Sequence, residues 1–265
     1  MMKHRLLGES GLLVSVLGLG TWITFEDETG AASSARMSSC GVRLSMVAST
    51  CSTPPSVMAM ARPSASSARM REDLILTTKI FMGTKSGPNA CGLSRKHVLE
   101  GMRASLARLQ VEPTHTTGRD GESNESGVVR GWALYWGTSE WSSHEIMAAC
   151  EIADRLGLVR PICEQPQYNI FERSRVDFDY QGLYSKYKTG LTTFSPLAYS
   201  VLTGKYANGN PVEKARLAQE KYTTFVPQLQ ERILQAEKLR PIAEELSCTM
   251  AQLASWRGAR RILIA

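Results

Sequence analysis

Residues Ala133 to Met147 read ALYWGTSEWSSHEIM, and the reading of the whole chain starts from them. Trp132 to Thr138 is rich in aromatic and β-favouring residues and predicts a strand that ends at Ser139. Ser142 and Glu145 then stand in the Ser-x-x-Glu spacing of a capping box, in which each side chain satisfies a backbone N–H left open at a helix start. The helix so opened carries Ile146, Ala149, Ala153 and Leu156 toward one inward face and stops at Gly157. Strand, polar residue and capped helix together make one βα unit.

The unit recurs on both sides. Leu74 to Thr78 predicts a buried strand with Lys79 at its end. Ser94 to Gln110 predicts a helix with Val98, Met102, Leu106 and Leu109 as its apolar stripe. Pro161 to Glu164 is a third strand ending at Gln165, and Leu191 to Phe194 a fourth ending at Ser195. A long helix is expected from Pro227 to Arg240, interrupted at Pro241, and Thr249 caps a further helix that begins at Met250. Leu12 to Leu19, set around Gly11, Gly18 and Gly20, suggests a short hairpin. Strand alternating with helix every ~30 residues predicts a parallel sheet. Lys79, Ser139, Gln165 and Ser195 each follow a predicted strand directly. In a (β/α)8 barrel those carboxyl ends build the active site, although ordinary strands also end in polar residues.

Composition bounds the function. A length of 265 residues with 43% hydrophobic and 21% charged residues is that of a globular chain, large enough for a sizeable core. The net charge of +6 does not make a nucleic-acid face. Four of the excess charges are arginines within residues 31–70 and three are Arg257, Arg260 and Arg261, which leaves −1 for everything else. The six cysteines are scattered and form no Cys-x-x-Cys pair, so a reducing compartment and no structural zinc are expected. No apolar run reaches the length of a membrane span, and Met1 to Gly11 lacks the apolar stretch of a signal peptide. The expectation is a cytoplasmic protein that does not span a membrane.

Two segments break the pattern. Residues 31–70 contain eleven Ser, eight Ala and five Met, with no aromatic or acidic residue. They show neither strand alternation nor a helical stripe, so no regular element is expected there. Residues 111–130 are polar and unpatterned.

The patterned stretches resemble the aldo-keto reductases, in particular the branch of voltage-gated potassium channel β-subunits. The resemblance runs through MKHRLLGESGLLVSVLGLGTWIT (2–24), LTTKIF (76–81), GLSRKHVLEGMRASLARLQ (92–110) and ALYWGTSEWSSHEIM (133–147). It continues in PICEQPQYN (161–169), TTFSPLAYSVLTGKY (192–206) and PIAEELSCTMAQLA (241–254). These motifs stand in family order. The resemblance implies a single domain over residues 1–265, a (β/α)8 TIM barrel of the α/β class, which binds NADP(H) across its strand ends. It implies reduction of aldehydes and ketones to alcohols, with a Tyr giving the proton, a Lys lowering that phenol's pKa, an Asp holding the Lys and a His orienting the carbonyl.

Carried over by position, Lys79 matches the catalytic lysine. Thr21 and Trp22 match cofactor and substrate-pocket positions, and Ser139 and Gln165 match groups that hold the nicotinamide carboxamide. Phe194 stands where the family usually stacks a Trp. Ser195, Pro196, Leu197, Ala198, Tyr199 and Lys205 match the loop around the pyrophosphate, and Arg216 a further phosphate-side contact.

Other family residues are missing. The family's Asp-Thr-Ala-Glu text and its catalytic Tyr belong within residues 31–70, which contain no Asp and no Tyr. Its His belongs after Gln110, where His115 sits in no matching motif. The barrel is therefore expected to be incomplete, disrupted at 31–70 and 111–130 and truncated at its C-terminal side, with 255–265 also aberrant. The lost text can be written out of frame from codons the residues permit. Codons permitted for Cys51 to Val57, regrouped from the third base, read Phe-Asp-Thr-Ala-Glu-Arg. Ser255 to Leu263 regroups to a sequence compatible with the family's continuation. A frameshift would explain both, and residues 111–130 yield no such reading, for which a dropped or misjoined exon is the expectation.

The expected function is NADP(H)-dependent reduction of a small carbonyl substrate by the family, with this chain itself inactive. The alternative is a binding protein like the channel β-subunits. A homo-oligomer and a channel partner are both open under that resemblance, and nucleic acid is not a partner.

Overall fold

The computed structural model describes residues 4–16, 47–49, 75, 77–81, 87–109, 131–207, 215, 217, 223–224 and 226–261. They fall into two units, one built from Met1–Gln165 and Leu183–Leu191, the other from Pro166–Gly182 and Thr192–Ile264.

The first unit opens with a hairpin. Strand β1 (His4–Leu6) pairs antiparallel with β2 (Leu13–Ser15), Leu6 opposite Leu13. Gly8 and Gly11 take positive φ in the turn, and the Ser10 hydroxyl donates to the Leu7 carbonyl at 2.5 Å. Gly8 is needed twice over, because a Cβ there would also lie 2.3 Å from the Lys188 carbonyl oxygen. The expected hairpin thus forms, but Leu12 to Leu19 supplies only its second strand, and residues 17–20 lie outside the described part.

Five strands make a parallel sheet in the order β4 (Lys79–Ile80), β3 (Val47–Ser49), β5 (Thr138–Ser139), β6 (Cys163–Glu164), β7 (Gly190–Leu191). The architecture is mixed α/β, and no closed barrel is formed among the described residues. Strand β3 corrects the expectation that 31–70 contributes no regular element. Val47 and Ala48 pair with Lys79 and Ile80 on one side, and Ala48 and Ser49 with Thr138 and Ser139 on the other. A strand paired on both edges satisfies its backbone groups whatever its side chains, so it need not alternate polar and apolar residues. The rest of 31–70, and all of 111–130, lie outside the described residues.

The other strands are present but short. Lys79 begins β4 and does not follow it. Of Trp132 to Thr138 only Thr138 joins the ladder, together with Ser139. Gly137 has no room for a side chain, since a Cβ would sit 2.6 Å from both the carbonyl oxygen and Sγ of Cys163. Glycine there is what lets β5 lie against β6.

Helix α1 (Arg95–Leu109) buries His97, Met102 and Ser105, with Val98 and Leu106 only half-buried. The face is turned from the apolar stripe because Thr78 donates to the Ser105 hydroxyl at 3.2 Å, which makes a serine acceptable inside. Helix α2 (Ser143–Leu156) has the complete capping box, and Gly157 closes it in the left-handed conformation. Its buried face is Ile146, Cys150 and Ala153, while Leu156 is 57% exposed. At about 100° per residue Leu156 points ~80° away from Ile146, off the edge of the face that Cys150 and Ala153 share. Removing the cap in Ser142→Ala should cost about 1 kcal/mol and lower the melting temperature by a few degrees. An unchanged thermal melt would mean that water caps this end equally well.

In the second unit a π-helical turn, Arg175–Asp179, precedes α3 (Gln181–Tyr187), which ends in the first unit. The expected long helix is α4 (Leu229–Glu237), beginning two residues beyond Pro227. The helix breaks at Lys238 and Leu239, just ahead of Pro241, as expected, and Pro241 sits in the first turn of the next helix, α5 (Arg240–Glu245), where its missing N–H has no helical partner to lose. Thr249 caps α6 (Met250–Arg261) as expected, accepting from the Gln252 N–H at 3.1 Å while Gln252 Oε1 accepts from the Thr249 N–H at 2.8 Å. Residues 255–261 continue that helix. Leu202, Tyr206, Leu217, Ile233, Ala236 and Met250 are the core of this unit. Among the described residues no helix is long and apolar enough to cross a membrane, and Cys91, Cys150, Cys163 and Cys248 are free thiols.

Candidate functional site

Lys79 at the start of β4, Ser139 at the end of β5 and Gln165 just beyond β6 are joined by hydrogen bonds, so three of the four expected strand-end residues meet although Lys79 is not at a carboxyl end. Lys79 Nζ donates to Ser139 Oγ at 3.2 Å, and Ser139 Oγ donates to the Gln165 carbonyl at 2.8 Å. The Gln165 N–H closes the junction by donating to the Thr138 carbonyl at 2.8 Å. Ser139 is fully buried, so a hydroxyl with one donor before it and one acceptor after it has a single orientation. The ensemble offers an ammonium and the half-buried side chain of Gln165, whose primary amide can both donate and accept.

Beneath this junction lies a residue that the sequence reading passed over. Glu164 in β6 is fully buried. Its carboxylate accepts from the Thr138 hydroxyl and from the backbone N–H groups of Glu140 and Trp141. Burial pushes its pKa up to about 7, against the pull of those three donors and with the nearby Glu140 charge adding to the rise. Oε1 has no hydrogen-bond partner among the described residues. The available signal was a carboxylate inside a predicted strand.

The Ser195 loop belongs to the second unit and is described by itself. Ser195, Ala198, Tyr199 and Ser200 all have positive φ, from 45° to 75°, and none is glycine. Such residues cost of order 1–3 kcal/mol each and persist only where their surroundings impose them. Asn169 is one such support. Its Nδ2 donates to the Ser195 carbonyl at 3.1 Å, while its Oδ1 accepts from the N–H groups of Phe171 and Glu172. Asn169 too was missed, since a lone Asn after a strand reads as an ordinary turn residue. The loop tightens through Ala198 N–H to the Ser195 carbonyl at 3.0 Å and a 3-10 turn at Val201–Thr203. Phe194 pairs with Gln167 in an isolated bridge and does not extend β7. Pro196 is exposed, Leu197 half-buried, and exposed Lys205 stands 5.2 Å from the centre of the Tyr206 ring.

Thr21, Trp22 and Arg216 lie outside the described residues. Among the described residues no group of His, Cys, Asp and Glu is arranged to hold a metal. The Ser139 hydroxyl and the Gln165 primary amide are groups able to hold an amide; in the other unit, taken by itself, the Ser195 loop and the exposed Lys205 are groups able to hold a phosphate.

The family model described as "Aldo/keto reductase family" matches residues 124–256. A rice protein (Oryza sativa subsp. japonica) described as "Probable voltage-gated potassium channel subunit beta" is 40% identical over 270 residues, covering 96% of this chain and 82% of that protein. A protein of Arabidopsis thaliana with the same description is 39% identical over the same shares of each.

Proposed function

This chain belongs to the aldo/keto reductase family, and we propose that its strand ends are the cofactor side of a carbonyl reductase site. The observation that carries the reading is the hydrogen-bonded run from Lys79 through Ser139 to Gln165. In this reading residues 1–265 form one (β/α)8 domain, and NADP(H), when bound, supplies hydride to an aldehyde or ketone. Ser139 and Gln165 hold the carboxamide edge, Phe194 offers an aromatic face, and Thr21 and Trp22 border the pocket. Ser195, Pro196, Leu197 and Ala198 wrap the phosphates, with Lys205 and Arg216 as cationic contacts. Lys79 is the group that would depress the pKa of a proton-donating phenol.

The chain as it stands has the lysine without the phenol. Residues 31–70 hold neither Tyr nor Asp, so the proton relay is incomplete and the expected activity is nil. NADPH binding is expected to be weak, with a dissociation constant well above the micromolar range. A phosphate contact of charged type is worth about 1.5–3 kcal/mol, so Lys205→Met should weaken what binding there is by roughly tenfold or more. Titration of NADPH fluorescence measures both. Submicromolar binding would show that the aberrant segments matter less than proposed, and indifference to Lys205→Met would remove that residue from the site.

A second reading is favoured by the two plant relatives, whose descriptions name a channel subunit. In it the chain associates with a potassium channel and turns over little or nothing. Assembly into a homo-oligomer that retains a channel protein, without NADPH consumption, would support it.

A further inference from the structure

Glu164 is a buried carboxyl without a part in the proposed chemistry, yet it is bonded to residues on both sides of Ser139. Thr138, before Ser139, gives it a hydroxyl hydrogen bond, and Glu140 and Trp141, after Ser139, give it backbone N–H groups. Its chain neighbour Gln165 takes the Ser139 hydroxyl on its carbonyl and returns its own N–H to Thr138. Residues 164 and 165 therefore grip residues 138–141 at five points, and Lys79 reaches that grip through Ser139. We propose that Glu164 is the positioning residue of this junction and performs that role as a neutral carboxylic acid.

The protonation state follows from the geometry. An ionised carboxylate with one oxygen unpartnered in the interior is far costlier than a neutral acid whose second oxygen is a plain carbonyl. Protonation on Oε2 would reverse the Thr138 contact, the acid then donating to that hydroxyl. Among the described residues, the groups that set the Glu164 pKa include no cation. Among the flanking strands, β5 and β7 contribute no titratable side chain at Thr138–Ser139 and Gly190–Leu191, and Glu140 in the following loop adds a like charge. Lys79 lies on β4, separated from β6 by β3 and β5, with its ammonium on Ser139. Ionisation of Glu164 should therefore loosen the grip on Ser139, and with it the placement of Lys79.

The inference rests on the reading of Ser139 and Lys79 as cofactor-side groups, but its test uses no cofactor. Amide hydrogen exchange of Glu140 and Trp141 would be followed from pH 5.5 to 8.5, corrected at each pH for the intrinsic exchange rate. In the unmodified chain protection should fall as pH rises from 5.5 to about 7 and then level off, by up to ~30-fold if opening rehydrates the carboxyl fully. Glu164→Gln keeps a neutral acceptor and should hold its protection across the whole range. Glu164→Ala should lose it at every pH. A corrected protection that is flat with pH in the unmodified chain, or a Gln variant that exchanges like the Ala variant, would overturn the proposal. If Glu164→Ala does not fold, the first two profiles decide alone. A failed NADPH titration would count against the reading of the site and would leave these profiles unaffected.

Discussion

No NADPH-dependent reduction of an aromatic aldehyde is expected from this chain when it is purified free of host reductases. Lys79 is held by Ser139, and residues 31–70 offer it no phenol to activate and no carboxylate to pair with. The Lys79 ammonium alone cannot take over general acid catalysis, whose loss costs ~10²–10⁴-fold. The missing carbonyl-orienting histidine compounds this by loss of alignment. A gene repaired in the upstream frame alone should regain the Asp and Tyr but not the His, and its activity should stay low. Repair of residues 31–70, 111–130 and 255–265 together should produce turnover, and Lys79→Met in that repaired protein should abolish it. Steady-state NADPH consumption decides the matter. Turnover by the unrepaired chain at a rate that Lys79→Met leaves unchanged would remove both the site assignment and the frameshift explanation.

Replacing Glu164 by Gln should change the pH dependence of global stability, in a direction that linkage dictates. Burial raises the folded-state pKa from 4.5 to about 7, so between those values the folded chain keeps a proton that the unfolded chain has released. The stabilising share of this group is complete below pH 4.5, declines as pH rises, and is gone above about pH 7. Over that window the loss is about 3 kcal/mol, at 1.36 kcal/mol per pKa unit. Glu164→Gln has no charge to bury and should be insensitive across the same window. Relative to the unmodified chain it should gain stability from pH 5 to pH 8, and denaturant midpoints at four pH values would measure the gain. Parallel curves for the two proteins would mean that Glu164 is ionised in the folded state at neutral pH, or that water reaches it.

Much of this protein is written in local sequence, because the features concerned involve only near neighbours. The Ser142–Glu145 capping box, the Gly157 stop and the Thr249 cap each lie within one or two helical turns, and all three form as the sequence predicts. The alternation of strand and helix likewise predicts the parallel sheet, and the strand-end rule places Ser139 and Gln165 correctly but Lys79 at the wrong end of its strand. The extent of pairing is not local. Trp132 to Thr138 has strand composition throughout, yet only Thr138 joins the ladder with Ser139, because pairing depends on where a neighbouring strand runs. Val47–Ser49 is the converse case, a strand without strand patterning, held by partners on both edges. Leu156 faces water because an inward face is set by the helix's angle to the sheet, which spacing alone does not contain. The site divides in the same way. Residue types at strand ends are legible, but the hydroxyl that links Lys79 to Gln165 is a contact among three strands. The roles of Glu164 and Asn169 arise only from what they touch. One carboxyl becomes a near-neutral acid because tertiary burial removes its water. One amide holds a strained loop because folding brings residues 169 and 195 within 3.1 Å.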